Sequence, residues 1–96
     1  MNKITYEERT RIYGKARDKY GYTAQAIIAL EELSEVQKEI CKDLRGKGNE
    51  HHLAEEIADA TIVLEQMCLF NGLNEEVCTI MDKKVKRLES RLNDET

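Results

Sequence analysis

Apolar residues recur at steps of three and four along nearly the whole chain, and no proline interrupts them. That spacing matches the 3.6-residue turn of an α-helix, where such positions fall on one face. A proline inside any of these runs would remove a backbone donor and break it. With 41% hydrophobic and 35% charged residues in this regular order, the chain is too apolar and too periodic for disorder. An all-α fold follows.

Local stop and start signals divide the pattern into four helices. Thr5-x-x-Glu8 is a capping box, and it opens a first helix that runs to about Lys19. Ile12, Tyr13, Ala16 and Tyr20 give this helix a thin apolar face, and Gly21 ends it. The second helix spans about Thr23 to Leu44, with Ala26, Ala29, Leu30, Leu33, Val36, Ile40 and Leu44 at helical spacing. Two glycines in Arg45-Gly46-Lys47-Gly48-Asn49 stop it, and Asn49 caps the next. This connector reads as a flexible link with solvated charge, the alternative being a loop that closes on a substrate. It is not a phosphate-binding loop, because no GK[ST] follows and no strand precedes it.

The third helix covers about Glu50 to Phe70 and places Leu53, Ile57, Ala60, Leu64, Met67 and Cys68 on its face. Asn71-Gly72 ends it, Asn74 caps the fourth, and Glu75 and Glu76 fill the first turn. Val77, Met81, Val85, Leu88 and Leu92 then form a core seam, and the end from Asn93 to Thr96 frays. Residues 1–96 read as a single domain. A domain of this size buries too little surface to be robust alone, so oligomerisation is a natural remedy.

The net charge of −4 and the lack of a basic stripe argue against a nucleic-acid polymer as partner. Cys41, Cys68 and Cys78 are odd in number, form no CxxC pair and fall on or beside apolar helical positions. They predict buried free thiols in a reducing compartment, hence a cytoplasmic protein. No apolar leader is evident, and Glu, Gln or Asp breaks every apolar run too early for a membrane span.

Two acidic clusters stand out from this scaffold: Glu31-Glu32-Leu33-Ser34-Glu35 and Glu55-Glu56-Ile57-Ala58-Asp59. Glu32 and Glu35 share a helix face, as do Glu56 and Asp59, and Gln25 and Glu39 lie near the Glu32 stripe. Each set borders an apolar stripe, where unpaired charge is costly. The short connector makes the second and third helices antiparallel neighbours. Glu35 lies 12 residues before Lys47 and Asp59 lies 12 after it, so folding about Lys47 puts them level, with Glu39 opposite Glu55 and Glu32 about one turn further along. Carboxylates converging there would repel one another and titrate upward unless a hard cation such as Mg²⁺ joined them. Solvated acidic faces or i+4 ion pairs are the plainer alternative, but none of Glu32, Glu35, Glu56 and Asp59 has a lysine four residues on. The Glu-x-x-His pattern of di-iron sites is missing, and no Cys/His spacing suits zinc.

The motif Glu31-Glu32-x-x-Glu35, a gap of 20 residues, then Glu56-x-x-Asp59 resembles the signature of the MazG-like all-α nucleoside triphosphate pyrophosphohydrolases. The likeness extends through AQAIIALEELSEVQK, HLAEEIADATIVLEQM and Lys84-x-x-Arg87-Leu88, and so covers about residues 22–92. It departs from relatives that stack the base on tryptophan: there is no Trp here, so either Tyr13, Tyr20, Tyr22 or Phe70 substitutes or base discrimination is loose.

The resemblance implies a four-helix bundle in its short single-domain form, assembled as a dimer or tetramer. It implies cleavage of the α–β phosphoanhydride of a (d)NTP to (d)NMP and pyrophosphate, dependent on Mg²⁺ or Mn²⁺, in nucleotide-pool control or house-cleaning. Glu32, Glu35, Glu56 and Asp59 would be metal ligands, with Glu32 or Glu35 as general base. Lys84 and Arg87 would grip phosphates and Gln25 would contact the base. Phosphoribosyl-ATP pyrophosphatase, or a non-enzymatic helical assembly module, remain alternative readings.

Overall fold

The computed structural model describes residues 3–95. Four α-helices follow one another, with no strand among the described residues: α1 (Tyr6–Tyr20), α2 (Tyr22–Leu44), α3 (Glu50–Phe70) and α4 (Asn74–Asp94). Among the described residues, no helix is long and apolar enough to cross a membrane.

The helix ends follow the expected local chemistry. Thr5 Oγ1 accepts from the Glu8 amide at 3.1 Å, and the Asn49 side chain accepts from the amides of His51 and His52. Gly21, with φ of 87°, lets α2 begin one residue after α1 ends. The stops after α2 and α3 are both Schellman motifs. Lys47 N–H reaches Lys42 O and Gly46 N–H reaches Asp43 O; Leu73 N–H reaches Cys68 O and Gly72 N–H reaches Leu69 O. The start of α4 differs from expectation. Leu73 occupies the cap position without a side-chain bond, and Asn74 is already helical, because the motif ending α3 uses the residue just before it. The helix also continues through Asn93, where fraying was expected, while Thr96 lies outside the described residues.

Helices α1, α2 and α3 pack on one another, and α4 meets α3 alone. The buried apolar residues are Tyr13, Ala29, Ala60 and Val63, joined by buried Gln25, Glu39 and Gln66. Several expected core residues are not there. Leu30, Ile40 and Leu44 on α2 are exposed, as are Ile57 and Leu64 on α3. α2 carries apolar residues on more than one face, and the face that docks on α3 is the one bearing small Ala29 together with the polar stripe. Nor does the seam of α4 enter a core: Met81, Val85, Leu88 and Leu92 are all exposed. The radius of gyration, 16.5 Å, exceeds the roughly 13 Å of a compact 100-residue domain. The cysteines are free as expected, but Cys41 and Cys78 are exposed and Cys68 is half-buried, for the same reason.

One polar junction fixes α1. Arg9 makes a two-pronged ion pair with Glu65 (Nε to Oε1 3.0 Å, Nη2 to Oε2 2.9 Å), and Tyr13 donates to Glu65 Oε1 at 2.6 Å. Glu65 is held below the usual carboxylate range, chiefly by the Arg9 hydrogen bonds. Tyr13 is pushed up to about 12, first by burial and then by the bond to Glu65.

Candidate functional site

The α2–α3 hairpin gathers the acidic clusters, in a register different from the symmetric fold about Lys47. Gln25 and Gln66, which bond to each other, are equidistant in sequence from the Arg45–Gly46 bond. Glu32 and Asp59, which meet, are equidistant from the same bond. The pivot therefore precedes Lys47. The cause is the Schellman turn, in which Gly46 (φ 72°) bends the chain so that Lys47 and Gly48 run back over the end of α2. A Cβ on Gly48 would come within 2.8 Å of Asp43 Cα, so only glycine permits that return path.

The resulting cluster is Glu32, Glu56 and Asp59, each offering a carboxylate oxygen within 4.8 Å of the others. Glu32 and Glu56 are half-buried and Asp59 is exposed. Glu56 Oε2 is enclosed and has no hydrogen-bond partner. Burial first, then the charge of Asp59 and Glu56, holds Glu32 above the usual carboxylate range. Glu56 is raised by burial first, then by Asp59, Glu35 and Glu39. An enclosed oxygen without a donor, among carboxylates that repel one another, is the donor set that suits a hard divalent cation. These three residues could hold one.

Glu35 stands outside this triad. It lies close enough to raise both Glu32 and Glu56, but its side chain pairs with Lys38 at 3.4 Å. That lysine is three residues on, a helix neighbour as good as the i+4 position that is vacant of lysine. Glu39 is buried and pairs in the same way with Lys42 at 3.3 Å. His51 pairs with Glu55 at 2.7 Å on the exposed side of α3.

A cleft of about 220 Å³ runs from the triad between α2 and α3, lined by Glu32, Asp59, Ile28, Ile62, Gln25 and Gln66. Gln25 thus lines the same cleft as Glu32, whose stripe it shares. Gln66 was not anticipated from the sequence. The available signal was its position seven residues after Asp59, mirroring Gln25 seven residues before Glu32. One turn beyond the glutamines, Tyr22 and Phe70 pack edge to face at 6.3 Å, with Arg17 over the Phe70 ring. Tyr13 is committed to Glu65, and Tyr20 lies exposed beside Lys19. Lys84 and Arg87 are exposed on α4, which does not touch α2, so the fold of one chain does not bring them to the triad.

No protein-family model matches this chain, and neither a curated protein nor a solved structure is significantly similar to it.

Proposed function

We propose that this chain is a Mg²⁺- or Mn²⁺-dependent nucleoside triphosphate pyrophosphohydrolase of the MazG-like kind. It would split the α–β anhydride of (d)NTPs to (d)NMP and pyrophosphate in nucleotide-pool control. The observation that carries this reading is the partnerless, enclosed Oε2 of Glu56, a member of the Glu32–Glu56–Asp59 triad whose Glu32 and Asp59 line a cleft. An acidic pocket repels polyphosphate unless cations lie between them, and this triad supplies the oxygens to hold them.

Glu32, Glu56 and Asp59 would be the ligands. When bound, the cation neutralises phosphate charge and makes a coordinated water more acidic. Glu35, the member of the cluster outside the triad, takes the proton of the attacking water. The water oxygen bonds to one phosphorus of the α–β anhydride, and the bridging oxygen leaves with the electron pair. Gln25 and the walls of Ile28 and Ile62 orient the nucleoside end. Lys84 and Arg87 would come from a second copy, whose α4 would cover its own exposed apolar seam by lying on another subunit. A dimer or tetramer is part of this proposal.

The exposed seam of α4 also favours a second reading, a non-enzymatic helical assembly module. One experiment separates the two. Products of an NTP and dNTP panel are resolved with Mg²⁺ and with EDTA, for the wild type and Asp59→Asn. Mg²⁺-dependent monophosphate plus pyrophosphate, lost in the variant, is the expected result. Orthophosphate release would mean a different bond is cut, and no turnover would leave the assembly reading.

A further inference from the structure

Resting on that reading of the site, we propose that Gln25 and Gln66 together form its base-reading element. The pair accepts keto and amino bases alike by reversing the hydrogen bond between its two amides.

Gln25 is 5% exposed and Gln66 is 8% exposed, in a core that holds four apolar residues among those described. Burying two amides at that place is costly where apolar side chains would pack without penalty. The two satisfy each other only in part. Gln66 Nε2 donates to Gln25 Oε1 at 3.1 Å. Each amide carries two donor hydrogens and two acceptor lone pairs, so that bond leaves Gln25 Nε2 and Gln66 Oε1 without a protein partner. Among the described residues, Glu56 Oε2 alone is a fully enclosed side-chain polar atom without a partner. The free amide groups therefore keep access to the cleft that both residues line.

The layout of that cleft suits a nucleotide. The glutamines lie seven residues from Glu32 and Asp59, about 10 Å along the helices. Ile28 and Ile62 stand between, giving apolar surface to the faces of a sugar and base. Polyphosphate at the carboxylate end puts the edge of the base at the amide end.

One N–H₂ and one carbonyl oxygen, side by side, match an acceptor–donor edge. Uracil and thymine present such an edge with O4 and N3–H, and cytosine presents it in the opposite order with N3 and N4–H₂. Rotating both amides by half a turn makes Gln25 the donor and Gln66 the acceptor of the internal bond. The free donor and acceptor then exchange places with no loss of hydrogen bonds. A single glutamine can make the same rotation, but here the internal bond obliges the two to rotate together.

Equilibrium binding, measured by calorimetry with Mg²⁺, tests this apart from turnover. The ligands are the α,β-methylene analogues of dUTP and dCTP, with inorganic tripolyphosphate as the base-free control. Gln66→Glu removes the N–H₂, so the pair can no longer reverse and shows two acceptors to the cleft. The wild type is expected to bind both nucleotides within about tenfold of each other and more tightly than tripolyphosphate. Two acceptors match only the donor of either base, so Gln66→Glu should weaken dUTP and dCTP binding alike by about tenfold relative to tripolyphosphate, one hydrogen bond's worth. In Gln25→Leu/Gln66→Leu both amides are replaced together, which leaves no orphaned partner. That variant should melt no lower than the wild type, and its nucleotide affinity should fall at least about tenfold toward that of tripolyphosphate. Unchanged nucleotide affinity in Gln66→Glu, or a loss confined to one of the two bases, overturns the proposal. So does wild-type binding of nucleotides no tighter than tripolyphosphate, while leaving the phosphate-site reading standing. Failure to bind even tripolyphosphate removes both.

Discussion

The α2–α3 hairpin and α4 are built from similar material and end differently. Both have apolar residues at helical spacing, and α4 separates its apolar and charged faces more cleanly than any other helix of the chain. Yet the hairpin buries Ala29, Ala60 and Val63 along with three polar side chains, while α4 buries nothing. Amphipathicity measures how ready a helix is to be covered, not whether anything covers it. The hairpin helices cover each other because a tight turn holds them face to face at small residues. α4 leaves α3 through a three-residue link and meets no other helix.

The sharpest test of this contrast is chemical. Glu56→Gln should cut Mg²⁺-dependent pyrophosphate release by roughly 10²–10³-fold, the loss typical when a group stabilising developing charge is removed. Arg87→Ala should cost less. Steady-state rates for both would show it, and equal losses would mean that α4 belongs to the site as fully as the hairpin does.

Matched truncations compare the packing directly. Val63, 3% exposed, should lose about 2 kcal/mol of stability on Val63→Ala. Val85, 62% exposed, should lose under about 0.5 kcal/mol on Val85→Ala. Urea titrations at low and high protein concentration would report both. A Val85→Ala penalty that grows with concentration would reveal a partner covering α4.

The α1 junction is a smaller effect. Tyr13→Phe removes one donor to a charged carboxylate and should cost about 1 kcal/mol in the same titrations.

The smallest expected effects are in pH dependence, and their signs oppose. Glu32 and Glu56 have raised values, so the folded form takes up protons more readily than the unfolded one. Stability at the triad is therefore gained as pH falls through their raised range and lost as pH rises through it. Glu65 is lowered, so its contribution is present above the unfolded carboxylate value and lost as pH falls through its folded value. Melting curves without divalent cations should rise slightly on mild acidification and then fall. Glu32→Gln should reduce the rise to the part that Glu56 supplies, and Mg²⁺ at neutral pH should raise the wild-type melting temperature but not that of the variant.

By itself the sequence determined the four helices, their caps at Thr5 and Asn49, their stops at Gly21, Gly46 and Gly72, and the pairing of acidic residues on one face of each hairpin helix. These depend on hydrogen bonds and side-chain neighbours within a turn or two, and such information is local. Tertiary structure decided which stripe of α2 faces α3, and so put Leu30 outside and Gln25 inside. It moved the register by the width of a Schellman turn, which chose Glu32 over Glu35 as the partner of Asp59 and brought in Gln66. It also left the seam of α4 uncovered. Helical period fixes a face only to within the breadth of its apolar residues, and α2 has such residues on several sides. The close approach of small side chains across the hairpin, and the path of the chain through Gly46 and Gly48, set the rotation and height that period leaves open.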